Sequence, residues 1–244
     1  MNSNMTLQSL EEMTVDLDAS FKFHCTQCGK CCENRDDIIL SPMDIFRMSA
    51  ELKMTPTEFS VQYCRVNIGP NSRMPIVTLQ PVGANDRCPL LKNQKCIVHK
   101  VKPSVCALFP LGRYLAIEKE KFGKDSLAGS KVKYLLQPID CGDDSETHTV
   151  REWLNGFDIA LKDEAYIAWN QVISDVSRQI QKLEKTQDML TMMEVWFFAR
   201  LLLYLRYDTG KDFLPQMQEN VSCLTELLSD IPRLKEVLKN VRRA

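Results

Sequence analysis

The sequence predicts an α+β protein, mostly α, in which an irregular, metal-stapled cysteine-rich domain is followed by a helical domain. Nine of the ten cysteines lie between Cys25 and Cys141, and only Cys223 lies beyond them. Short apolar runs interrupted by Pro, Gly and Cys fill the first part of the chain. From about residue 146 apolar residues recur at a helical period instead. Glycine is scarce in that second part, where Gly156 and Gly210 are the only two. The expected division is a lead-in over 1–20, a cysteine-cluster metal-binding domain over 21–145 and a helical domain over 146–244.

Composition narrows the function classes. The chain has 244 residues, formal net charge −1, 44% hydrophobic and 26% charged residues, ordinary values for a globular protein. A charge so near zero argues against a nucleic-acid binder. Glu11, Glu12, Asp16 and Asp18 precede any apolar run, unlike a secretory signal. The most apolar stretch, VWFFARLLLYL at 195–205, contains Arg200 and is too short for a membrane span. The expectation is a cytoplasmic protein with no membrane and no nucleic-acid partner. In that compartment thiols stay reduced, so dense cysteines point to metal rather than to disulfides.

The elements follow in order. Residues 1–20 read as a polar lead-in. SPMDIFRMSAELKM reads as a helix with Ser41 as N-cap, Pro42 at the first helical position and Asp44 in the first turn. TPTEFSVQYCRV repeats the device with Thr55, Pro56 and a capping-box Glu58. Ile45, Met48, Leu52, Phe59 and Tyr63 are spaced to give buried faces. MPIVTLQPV reads as a short strand ended by Pro81. Cys88 to Cys106 reads as loop with a turn of helix near KPSVCALF, and RYLAIEKE with KVKYLLQP suggests a hairpin. Thr149 and Glu152 form another capping box, opening one long helical stretch to about Lys185. Further helices are expected over roughly 188–207, 219–229 and 232–242.

FKFHCTQCGKCC, at 21–32, packs four cysteines into eight residues. CPLLKNQKCIVHKVKPSVCALFP adds Cys88, Cys96 and Cys106, and IDCGDD adds Cys141. Cys25, Cys28, Cys31, Cys32, Cys88, Cys96, Cys106 and Cys141 thus make two sets of four, the ligand number of structural zinc and of iron–sulfur clusters. Thiolates are soft ligands that suit those metals rather than magnesium or calcium. In C-x-x-C two sulfurs converge while the backbone curls between them, and Gly29 can supply the positive φ of such a turn. Neighbouring side chains diverge, so Cys31 and Cys32 are expected to serve different sites. The C-x-x-C-x-x-C spacing and Cys88-Pro89 match ferredoxin ligands, while CTQCGK also has the form of a zinc knuckle. Both an iron–sulfur cluster (4Fe–4S) and zinc stay open. Lys30, Arg35, Lys92, Lys95, Lys100, Lys102 and Arg113 flank the cysteines and can offset thiolate charge or form a solvated face. Cys64 and Cys223 read as ordinary thiols, His24 as structural, and His148 as lacking an identifiable partner.

CTQCGKCC, CPLLKNQKCIVHKVKPSVCALFP and CG followed by TVREWL resemble the YkgJ-type cysteine-cluster proteins, a CxxCxxCC family of zinc- or iron-chelating domains. The resemblance covers about residues 21–155. It implies the same eight cysteines as ligands, Cys141 on the thinnest match. His99 stands where the family pattern often has an aromatic, so it is not carried over. The flagellin lysine methylase, a relative with this cysteine pattern, implies an iron–sulfur cluster and S-adenosylmethionine-dependent transfer to protein lysines. The leading expectation is a metal-binding protein, iron–sulfur before zinc, acting as an accessory or electron-transfer factor for a protein partner. The alternatives are a methylase-like enzyme with a protein substrate and a structural zinc module. This chain has no glycine-rich nucleotide loop after a strand, which speaks against the enzyme.

Overall fold

The computed structural model describes residues 7–116, 127 and 130–241. Its elements, in chain order, are α1 (Leu7–Glu12), β1 (Thr14–Val15), β2 (Ser20–His24), α2 (Pro42–Glu51), α3 (Pro56–Tyr63), β3 (Cys64–Ile68), β4 (Pro75–Leu79), β5 (Leu91–Lys92), β6 (Lys95–Cys96), α4 (Ser104–Leu108), β7 (Leu111–Ala116), β8 (Lys131–Leu136), β9 (Asp143–Thr149), α5 (Val150–Gly156), α6 (Glu164–Glu184), α7 (Met189–Arg200), α8 (Phe213–Ser229) and α9 (Ile231–Val241). A 3₁₀ turn covers Lys30–Cys32, and a π-helical turn over Leu201–Leu205 extends α7. The fold is α+β with small antiparallel sheets. Residues 117–120 of the expected hairpin lie outside the described residues.

The chain divides into two compact units, each assembled from two stretches. The first holds Met1–Ile38 and Pro81–Ala168, the second Ile39–Gln80 and Trp169–Ala244. All eight expected ligand cysteines belong to the first, and Cys64 and Cys223 belong to the second.

In the first unit, β1, β8 and β7 form one sheet while β2 pairs with β9. The core gathers Phe21 and Phe23 from β2 with Leu108, Leu111, Tyr134, Val150, Trp153 and Leu154. The Trp153 indole stands edge-on to both phenylalanine rings, and its Nε1 donates to the carbonyls of Ala107 (3.2 Å) and Leu108 (3.1 Å). That bond ties α5 to α4, the short helix that carries Cys106. Arg113 and Asp163 form a mostly buried ion pair, and the Arg113 guanidinium lies 3.9 Å from the centre of the Tyr166 ring.

Local chemistry accounts for the helix starts. Ser41, Thr55 and Thr149 each accept from the backbone amide three residues on, at 3.2, 3.1 and 3.2 Å. Asp44, Glu58 and Glu152 accept in return from the cap amides, satisfying donors that a helix start leaves open. The one long helix expected from residue 149 to 185 is a strand end and two helices instead. α5 stops at Gly156, Asp158 takes a positive φ of 53°, and the Asp163 carboxylate caps a new start by accepting from the Tyr166 amide at 2.9 Å. A helical period of apolar residues persists across such a break, because the same core faces both pieces. Upstream, Asp143–Thr149 is β9, too polar to read as a strand from its alternation.

The second unit packs α2, α3, α7, α8 and α9 with the β3–β4 hairpin. Ile45, Met48, Phe59, Leu203, Leu224 and Leu234 are fully buried there. Arg73 forks onto both Glu184 oxygens (2.5–3.0 Å), and the Trp196 Nε1 donates to the Arg73 carbonyl at 2.9 Å. Cys64 begins β3 rather than extending α3 and is buried opposite Leu79. Among the described residues, no helix is long and apolar enough to cross a membrane.

Candidate metal centre

Four separate stretches bring the eight thiols into one region. The first leaves β2 at His24 and curls through Cys25 and Cys28. Gly29 there has the expected positive φ, 75°, and the Cys32 amide closes the turn onto its carbonyl at 2.9 Å. The second stretch is bonded directly to the first. The Cys88 amide donates to the Cys32 carbonyl at 2.8 Å, and the amides of Asn34 and Arg35 donate to Asn85 and Asp86 at 3.0 and 3.2 Å. From Cys88 the chain enters the β5–β6 hairpin, whose two turn residues, Asn93 and Gln94, both have positive φ. This tight reversal returns Cys96 beside Leu91. Cys106 follows on α4, held by Trp153.

Cys141 arrives through the sheet. β2 and β9 run antiparallel with His24 opposite Asp143, so Cys25, one residue past the end of β2, and Cys141, two residues before β9, lie at the same end of the ladder. Gly142 makes the approach possible. Its φ is 72°, and a Cβ there would run into the His24 carbonyl and lie 2.7 Å from the Phe23 ring.

The thiols interact mutually. Cys31 couples electrostatically to Cys28, Cys88, Cys96, Cys106 and Cys141, and it shares a hydrogen bond with Cys32. The two adjacent side chains therefore meet, where divergence was expected. The 3₁₀ turn winds more tightly than a strand, in which neighbours point to opposite faces. Around this hub, Cys141 couples to Cys28 and Cys25, while Cys32 couples to Cys88 and Cys106. Cys96 interacts with Cys25 and with Cys88. Among the described residues, no three His, Cys, Asp or Glu side chains close on one point as ligands do. Protonated thiols repel no neighbour and gain nothing by converging; a cation is what draws deprotonated sulfurs together.

The surroundings fit that donor set. The Cys28 sulfur accepts from the backbone amides of Lys30 and Gly142, which hold its pKa below the usual thiol range. Cys31 is pulled down to about 6, first by the Cys32 hydrogen bond and then by the Lys102 and Arg35 charges. Burial pushes Cys106 up to about 12 and Cys141 up to about 11. Burial also raises Cys88 and Cys96, although the amides of Leu90 and Leu91 donate to the first sulfur and that of Val98 to the second. Amide N–H groups aimed at sulfur favour the thiolate, the form that binds metal.

Of the flanking cations, Lys102 and Arg35 act on the thiols, and Lys102 also lies 4.3 Å over the Phe157 ring. Arg113 instead neutralises Asp163, and Lys30 reaches the Asp140 carbonyl. His24 places Nδ1 3.3 Å from an Asp143 carboxylate oxygen. His148 does have a neighbour, with Nε2 3.2 Å from Glu146 Oε2. The amide donors were not singled out from sequence. The signal was there in part, because Cys28-Gly29 and Cys141-Gly142 are both Cys-Gly pairs with positive φ at the glycine.

Residues 24–128 match the family model of the CxxCxxCC domain, described as "Putative zinc- or iron-chelating domain". No curated protein and no solved structure matches the chain.

Proposed function

From a chain whose residues 24–128 match the family model of a zinc- or iron-chelating domain, we propose a cytosolic iron–sulfur protein that serves a protein partner as an accessory or electron-transfer factor. Cys25, Cys28, Cys31, Cys32, Cys88, Cys96, Cys106 and Cys141 are its ligands. The observation that carries this reading is the convergence of thiols from four stretches on Cys31, with amide N–H groups and two cations supplied to them.

Eight thiol ligands suit two centres of four. Cys25, Cys28 and Cys141 form one side, and Cys32, Cys88 and Cys106 the other. Cys31 completes the first and Cys96 the second. Cys28 and Cys31 are solvent-exposed, which suits electron exchange with a partner docking on that face. The cluster supplies one-electron chemistry when bound. The chain's part is to offset thiolate charge through Lys102 and Arg35, and to direct the amides of Lys30, Leu90, Leu91, Val98 and Gly142 at sulfur.

Zinc is the second reading, since its tetrathiolate sites call on the same donors. Ultraviolet–visible spectra and metal analysis of anaerobically purified protein separate the two. A broad band near about 400 nm with matching iron and sulfide is expected. A colourless protein with stoichiometric zinc would overturn the cluster and leave a structural zinc module.

A further inference from the structure

The first unit holds a cleft of about 910 Å³ that the metal reading does not use. It opens where β1 ends. The β1–β8 ladder stops at Val15 opposite Tyr134, and the chain then turns away through Asp16–Ala19, where the Ala19 amide donates to the Asp16 carbonyl at 3.0 Å. The space left beside β8 lies at the Ser20–Thr149 end of the β2–β9 ladder, and the cysteines lie at the His24–Asp143 end. Four residue steps at about 3.3 Å put roughly 13 Å between them.

We propose that this cleft binds a small organic anion with an apolar body. Its walls include Val132, Leu161 and Ile167, an apolar lining for such a body. Four cations reach it against two carboxylates: Lys131, Lys133, Arg151 and Lys162 against Asp16 and Asp18. Arg151 is engaged by Asp18 at 3.0 Å and Lys162 by Glu164 at 3.6 Å, which leaves the two β8 lysines to a ligand. The volume lies in the range of ligand sites, which are mostly apolar with a few placed polar groups.

Tyr134 is the independent observation. It lines the cleft and is only 2% exposed, yet its hydroxyl is buried without a hydrogen-bond partner. Buried hydroxyls nearly always have a partner, so an orphan in a cleft wall points to a group that completes it. Lys131 and Lys133 share one face of β8 and Tyr134 takes the other, so the lysines would hold the anionic group and the phenol would donate to a separate acceptor atom of the same ligand.

The test uses the full-length, metal-loaded protein with 8-anilinonaphthalene-1-sulfonate, an anion with an apolar body, followed by fluorescence and metal content. One probe per chain is expected to bind. Lys131→Glu with Lys133→Glu should weaken binding by about tenfold or more. Tyr134→Phe should weaken it by about threefold to tenfold while the melting temperature holds or rises, because a hydroxyl serving only the fold would cost stability when removed. Metal content should stay unchanged in both variants, which separates this site from the thiols. Equal affinity for the uncharged N-phenyl-1-naphthylamine would overturn the proposal. So would probe binding indifferent to the lysine reversals, or a Tyr134→Phe protein that loses stability but not affinity.

Discussion

The hydrogen bond between Cys31 and Cys32 lowers the first thiol, helped by the charges of Lys102 and Arg35, and raises the second. Most of the other thiols stay protonated near neutrality, because burial raises Cys88, Cys96, Cys106 and Cys141. Metal takes the thiolate, so each of these must release a proton on binding. The sign follows: affinity rises with pH, by up to about tenfold per unit for each proton released. Competition titrations with zinc at several pH values should show that slope, and a flat profile would mean that buried thiols are not the ligands. Serine at Cys25, Cys28, Cys31, Cys32, Cys88, Cys96 or Cys106 should lower bound metal or give insoluble protein. Serine at Cys64 or Cys223 should leave metal content as it was, since both belong to the other unit. Loss at Cys64→Ser as severe as at Cys28→Ser would refute this allocation.

Helix α5 has only seven residues and owes its start to one cap, yet its Trp153 anchors the helix that carries Cys106. Removing the cap should therefore be felt at the metal. Thr149→Ala is expected to cost about 1 kcal/mol of stability and to weaken metal retention with it. Thr55→Ala removes an equivalent box from α3 in the second unit and should cost a similar amount with metal affinity unchanged. Denaturant midpoints and chelator competition on the two variants give the comparison. Equal metal loss in both would show that the effect is general destabilisation. The three N-caps, two of them as capping boxes, and both helix-opening prolines were legible in the sequence, because caps are local chemistry among residues three apart. The break between α5 and α6 was not legible, because it depends on Asp158 and Asp163 meeting a backbone that turns away from the helix axis.

Small metal sites supply roughly 10–16 kcal/mol of apparent binding free energy, comparable to the whole stability of about 5–15 kcal/mol for a typical domain. The first unit has a core built on Trp153 and small sheets, whereas the second buries several long amphipathic helices. Stripping metal under reducing conditions should therefore make 21–38 and 81–145 exchange backbone hydrogens rapidly, while α7 and α8 stay protected. Segment 39–80 distinguishes two boundaries. It should remain protected if the units are Met1–Ile38 with Pro81–Ala168 and Ile39–Gln80 with Trp169–Ala244. It should lose protection if the boundary lies near residue 145. Uniform loss everywhere would indicate one cooperative molecule. Unchanged protection around Cys88–Cys106 would remove the metal from the folding argument altogether. In calorimetric titration, S-adenosylmethionine should show no micromolar binding; such affinity would bring the methylase reading forward.

The sequence by itself determined which residues offer soft thiol donors at metal-ligand spacing and where helices are capped, because thiol spacing, Cys-Gly turns and helix caps are properties of neighbours along the chain. It also determined the α+β class, through the contrast between cysteine-broken runs and helical periods. Tertiary structure alone decided how Cys141 joins the others, since that depends on a β2–β9 register bridging more than a hundred residues. It decided that Cys31 and Cys32 meet, which follows from a 3₁₀ turn rather than from adjacency. It also decided that Ile39–Gln80 packs with the C-terminal helices, because burial against a distant partner leaves only an ordinary amphipathic pattern in the segment itself.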